Sequence, residues 1–132
     1  MKLRIRGNSV RVRLTKTEVA RLGQELPVEQ TTRFSQSSAL HCSVQPSRCA
    51  AAPSAQFDGS VITVALPAEQ VRQWAWSDQV TIEAQQEIEP GTFLQILVEK
   101  DFQCMHSKAE GNTDAFPNPR ERQLSGEVCS RA

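Results

Sequence analysis

Apolar and polar residues alternate from the first positions of the chain. Leu3 and Ile5 alternate with Lys2, Arg4 and Arg6. After Gly7-Asn8-Ser9, Val10, Val12 and Leu14 alternate with Arg11, Arg13 and Thr15. Period-two patterning on both sides of a Gly-Asn turn predicts a β-hairpin. The period then changes. Thr15-Lys16-Thr17-Glu18 has the form of a capping box, and Val19, Leu22 and Leu26 continue at helical spacing, so a helix is predicted over 15–26. Gly23 weakens that helix and Pro27 ends it. Val28 to Phe34 reads as a strand, and Leu40, Cys42 and Val44 line one face of the next.

The same order returns 52 positions later. Gly7 falls on Gly59, Val10 on Ile62, Val12 on Val64 and Leu14 on Leu66; Val19 falls on Val71, Leu22 on Trp74 and Val28 on Val80. Phe57-Asp58-Gly59-Ser60 supplies the second hairpin turn. Pro67 opens a helix over 67–76, where its missing N–H costs nothing. Val80, Ile82 and Ala84 begin a strand, Pro90-Gly91 turns the chain, and Leu94, Ile96 and Val98 face inward on the last strand. Each ββαββ unit alone is too small to close a core, whereas two units can bury their apolar faces against each other. The predicted fold is therefore mostly β (α+β): two internally duplicated ββαββ units forming a pseudo-two-fold β-barrel with two helices. Residues 1–102 form its single domain, with repeats 1–46 and 55–102 and a Pro-, Ala- and Ser-rich linker over 47–54. Periodicity stops after Phe102, and residues 103–132 read as an irregular tail.

Composition narrows the function classes. Lys+Arg and Asp+Glu balance at 15 each, so no global field draws the chain to nucleic acid or anionic lipid. No apolar run approaches the roughly 20 residues that cross a bilayer. The charged start leads into alternating residues rather than an apolar signal core, so no membrane association and a cytoplasmic location are expected. Cys42, Cys49, Cys104 and Cys129 are then expected as reduced thiols.

Two resemblances bear on the fold. Arg6-Gly7-Asn8-Ser9, Val10-Arg11-Val12-Arg13-Leu14 and the capped helix behind them resemble the swapped-hairpin unit of the MazE antitoxins and AbrB-type transition-state regulators. Asp58-Gly59-Ser60-Val61-Ile62-Thr63-Val64-Ala65-Leu66-Pro67 is similar to the same unit. Those families assemble the barrel from two chains, which implies that this chain supplies both halves of a swapped-hairpin barrel. The chain as a whole resembles a family of small bacterial proteins of unassigned function. That resemblance rests on Arg4-Ile5-Arg6-Gly7-Asn8-Ser9-Val10, Val98-Glu99-Lys100-Asp101-Phe102-Gln103-Cys104 and Asp114-Ala115-Phe116-Pro117-Asn118-Pro119, and it implies no activity.

The sharpest local chemistry is the basic hairpin. Lys2, Arg4, Arg6, Arg11 and Arg13 all fall opposite the apolar side, as a ribbon that neutralises phosphates requires. In the AbrB and MazE families the corresponding hairpins meet DNA. The second hairpin departs from that pattern, since Gln56, Asp58, Val61, Thr63 and Ala65 bring no cation. A solvated face with the arginines paired to Glu83, Glu87, Glu99 or other carboxylates weighs more than a nucleic-acid contact. Cys104-Met105-His106 with Asp114, and His41-Cys42, lack the two closely spaced ligand pairs of a zinc site, so no metal or other cofactor is expected. Ser35-Gln36-Ser37-Ser38 has no elbow glycines. A tunnel-type phosphohydrolase would need carboxylates and cations inside the barrel, and Glu87-Ile88-Glu89 is the sole E-x-E pair. Trp74 is expected in the core and Trp76 at a helix end. The expected function is a non-enzymatic binding or interaction module; a protein partner is compatible with it, and the sequence leaves the oligomeric state open, a monomer included. Nucleic-acid binding is the first alternative and a phosphohydrolase the second.

Overall fold

The computed structural model describes residues 1–102, which form one compact unit. The strands are β1 (Lys2–Ile5), β2 (Ser9–Leu14), β3 (Val28–Arg33), β4 (Ala39–Ser47), β5 (Ser54–Asp58), β6 (Val61–Pro67), β7 (Thr81–Glu89) and β8 (Thr92–Lys100), and the helices are α1 (Lys16–Gly23) and α2 (Ala68–Ala75). Neither helix is long and apolar enough to cross a membrane. The chain's predicted tail, including Cys104, Met105, His106, Asp114, Phe116 and Cys129, lies outside the described residues.

The strands form two four-stranded sheets, ordered β1-β2-β8-β7 and β3-β4-β6-β5. Each takes one hairpin from residues 1–47 and one from 54–102. The hairpins meet through a parallel middle pair, β2 with β8 and β4 with β6, while every other pairing is antiparallel. The closed barrel expected from the pattern is not formed, and the sheets stay open. Where β5 and β7 approach, a side chain replaces the backbone ladder: Ala55 N–H donates to Gln86 Oε1 at 2.6 Å and Gln86 Nε2 donates to Ala55 O at 3.1 Å.

The core follows from the alternation. One row runs Leu3–Val12–Val98–Ile82 across the first sheet, and another runs Ala55–Val64–Val44–Val28 across the second. Of these, all but Leu3 are buried, and they pack with Val19, Leu22, Val71 and Trp74 of the helices. Each fully buried Val, Leu or Ile contributes about 1.5–3 kcal/mol. Trp74 has the same burial as Leu22, and its Nε1 donates to Val80 O at 3.0 Å. Val80 itself is a correction. It is 42% exposed and precedes β7, and Ile82 is the first buried residue of that strand. The turn after α2 is longer than the turn after α1, and the Val80 carbonyl there accepts from both Trp74 and Lys100 N at 3.1 Å.

Helix α1 begins as its sequence predicts. Thr15 Oγ1 accepts from Glu18 N at 3.3 Å, and Glu18 Oε1 accepts from Thr15 N at 2.9 Å. The Met1 ammonium adds a bond to Glu18 Oε2 at 2.9 Å. Burial pushes the Glu18 carboxyl up, but the Thr15 bonds and the Met1 charge outweigh it and hold the group below its ordinary value. The helix ends three residues before the predicted Leu26. Glu25 adopts φ 64°, Glu25 N bonds Leu22 O at 2.9 Å and Leu26 N bonds Arg21 O at 2.9 Å, which is the Schellman closure. Gly23 is buried beneath α2; a Cβ there would lie 2.8 Å from Trp76 Cζ2 and 3.0 Å from Ala75 Cβ. Trp76 thus covers the helix end, although 61% of it remains exposed.

The predicted linker is shorter than expected, because β4 runs on through Pro46 and Ser47 along β6. Pro46 is tolerated there because β3 has already ended opposite Val44, so β4 is an edge at that point and no neighbour requires its N–H.

Candidate functional site

The β1–β2 hairpin is held by its turn and by β8. Gly7 has φ 55°, a left-handed conformation that suits glycine. Asn8 Nδ2 donates to Phe93 O at 2.9 Å, and Gln95 N donates to Asn8 O at 2.9 Å. Because Val10, Val12 and Leu14 are buried, the alternation turns Arg11 and Arg13 to the opposite face. Lys2 stands directly opposite Arg13, and Arg4 directly opposite Arg11. Like charges so placed destabilise a strand pair.

Counter-charge comes from β8 and the residue after it. Glu99, whose side chain is 16% exposed, accepts from Arg13 Nε at 3.2 Å and lies 3.6 Å from Arg11 Nε. Asp101 lies 3.2 Å from Lys2 Nζ. Of the expected partners, Glu99 takes this part. Glu83 instead accepts from Gln95 Nε2 at 2.9 Å. Arg4 and Arg6 are exposed and make no ion pair among the described residues. The structure thus brings the five cations onto one hairpin, and three of them meet carboxylates.

The matching face of the second hairpin is neutral to acidic. Gln56 pairs across from Thr63 and Asp58 from Val61. Among the described residues the interior offers no alternative site, because the inner rows are aliphatic. A tunnel lined by carboxylates and cations is incompatible with Val12, Val44, Val64 and Val98 filling that space.

His41 and Cys42 are neighbours in β4 and point to opposite faces, so they cannot share a ligand. Cys42 is buried under Ile62, where burial pushes its thiol up, and His41 is exposed with Nδ1 3.0 Å from Thr31 Oγ1. No group of three or more His, Cys, Asp or Glu suited to a metal occurs among the described residues. Thr31 and His41 are direct cross-strand partners beside a shallow cavity of about 360 Å³ that also takes in Ser37, Ser38 and Ser60. No third group orients the imidazole among the described residues, so the pair reads as sheet-surface hydrogen bonding.

One charge cluster escaped the sequence pattern. Arg48 grips Glu25 with two bonds, Nε to Oε1 at 2.8 Å and Nη2 to Oε2 at 3.1 Å. Arg72 reaches the same carboxylate at 3.2 Å and also bonds Glu69. The Arg48 bonds, then the charges of Arg48 and Arg72, hold the Glu25 carboxyl below its ordinary value. The cluster secures a non-glycine residue at a left-handed helix end, a structural task. No sequence signal links residues 25, 48 and 72.

A family model described as a family of unknown function, DUF7009, matches residues 1–120. The chain belongs to this family. The match spans every described residue, hairpin included, and carries no assigned activity. No curated protein and no solved structure matches the chain.

Proposed function

We propose that this chain is a non-enzymatic binding module whose contact element is the β1–β2 hairpin. The observation that carries this reading is the outward row of cations. Lys2–Arg13 and Arg4–Arg11 stand opposite each other at a cost in stability, and Arg4 and Arg6 are left for a counter-ion from outside. A protein partner is the occupant we favour, met by a monomer in the bacterial cytoplasm. Cys42 and Cys49, which form no disulfide among the described residues, suit a reducing compartment.

We further propose that the two halves descend from one duplicated, swapped-hairpin unit of the AbrB and MazE kind. The mirrored strand orders, the repeated parallel middle pair and the matching Leu22 and Trp74 support that descent. It favours a second reading, DNA or RNA binding through Lys2, Arg4, Arg6, Arg11 and Arg13, because all five lie on the outer side. Against it, Glu99 and Asp101 already neutralise part of the row, and the second hairpin adds no cations.

The test is a salt series of duplex DNA and RNA titrations with the full chain and with Arg4→Glu/Arg13→Glu. The expected result is no saturable binding by either protein, even at low salt. Parent binding that weakens with salt at a slope near 0.9 per phosphate and disappears in the double variant would replace the protein-binding reading with the nucleic-acid one.

A further inference from the structure

β1 lies at the end of its sheet, with β2 on one side only. Arg6 N donates to Ser9 O at 3.0 Å, and this sets the phase of the antiparallel ladder. With Lys2 opposite Arg13 and Arg4 opposite Arg11, the even-numbered residues exchange bonds with β2. The N–H and C=O groups of Leu3 and Ile5 therefore point out of the sheet. Among the described residues, no hydrogen bond to them is present. The other sheet treats the same row differently, because the outward N–H and C=O of Ala55 are both bonded by Gln86. Gln86 thus bonds one residue of that edge, Ala55, whereas among the described residues no side chain bonds the outward groups of Leu3 or Ile5.

The open edge has a distinct chemistry on each face. Lys2, Arg4 and Arg6 stand on the outer face, and Leu3 and Ile5 on the inner, where Ile5 is 57% exposed. Charge on an edge strand deters pairing with a second copy, since an added β1 would bring the same cations into line. The same charge attracts an acidic strand. We propose that β1 receives an extended segment of a partner protein in which acidic and apolar residues alternate. The acidic side chains align with Lys2, Arg4 and Arg6, and the apolar ones cover Leu3 and Ile5. This rests on the reading of the chain as a binding module and adds to it the partner's chemistry and the mode of contact.

The probe is a capped synthetic peptide alternating Glu and Val, titrated into the full chain by fluorescence anisotropy, with amide exchange followed by NMR. Binding is expected to weaken with salt and to slow exchange of the Leu3 and Ile5 amides. Ile5→Pro removes an outward N–H without deleting a β1–β2 bond and is expected to weaken binding at least tenfold. Arg4→Glu/Arg6→Glu is expected to transfer preference to a Lys/Val peptide, which decides the matter even if proline unsettles the hairpin. Absence of saturable binding to the parent, binding unchanged in both variants, or a Gln/Val peptide bound as tightly would overturn the proposal. A concentration-dependent dimer abolished by Ile5→Pro would assign the edge to a second copy and overturn it too. Failure of the peptide with no nucleic-acid binding overturns strand addition alone. Capture of duplex DNA or RNA through the same arginines overturns the protein-binding reading beneath it.

Discussion

Glu99→Gln probes the charge balance of the hairpin without changing its shape. In the parent, Glu99 holds Arg13 at 3.2 Å and Arg11 at 3.6 Å, and those arginines stand opposite Lys2 and Arg4. Two partly exposed pairs contribute about 0.2–1 kcal/mol each. Losing them also leaves the opposed cations unrelieved, a penalty of similar size. The expected loss is about 1–2 kcal/mol, or roughly 4–16 °C in Tm for a unit of this size. The sign of the salt response is the sharper readout. In the parent, salt screens attraction and repulsion together, so the midpoint moves little; in Glu99→Gln repulsion dominates, and added salt restores stability. Thermal unfolding by far-UV circular dichroism across a salt series measures both effects. Glu83→Gln serves as control, because Glu83 meets only Gln95 among the described contacts. A Glu99→Gln protein with the parent's midpoint and salt response would refute the claim that Glu99 neutralises the hairpin.

Gly23→Ala is expected to destabilise by about 1 kcal/mol. Overpacking against Ala75 and Trp76 outweighs the helix-propensity gain, and Trp76→Ala in the same chain recovers part of the loss; a stabilised single variant in urea unfolding contradicts this. The lowered Glu18 carboxyl contributes stability that is present above its unfolded value and lost as pH falls through its folded one. Glu18→Gln is therefore expected to lose about 1 kcal/mol at neutral pH, with the gap to the parent closing in acid. A gap that stays constant across pH-dependent melts would exclude this titration.

The sequence reading succeeds where one local pattern decides the outcome. The Gly-Asn turn with flanking alternation locates β1 and β2, the capping box locates the start of α1, and Trp74, expected inside from its alignment with Leu22, is buried. It errs where distant contacts decide. The shift from Val80 to Ile82 depends on a longer turn after α2, which the carbonyl of Val80 organises through Trp74 and Lys100. Barrel closure depends on whether edge strands pair, and Gln86 stands in for that pairing at Ala55. The five hairpin cations are legible from alternation alone. The pairing of Lys2, Arg11 and Arg13 with Glu99 and Asp101, more than eighty residues away, follows from the parallel register of β2 with β8, which no local pattern contains. The open backbone edge of β1 likewise needs both the sheet order and the phase of the ladder.

The most direct test of a binding role for the hairpin is backbone amide chemical-shift mapping on the full chain, with the Glu/Val peptide and duplex DNA titrated in parallel. Saturable shifts confined to residues 2–6 and their neighbours on β2 with the peptide, and none with DNA, are the predicted result. Peptide additions that leave the hairpin unmoved while DNA shifts Arg4, Arg11 and Arg13 would contradict it.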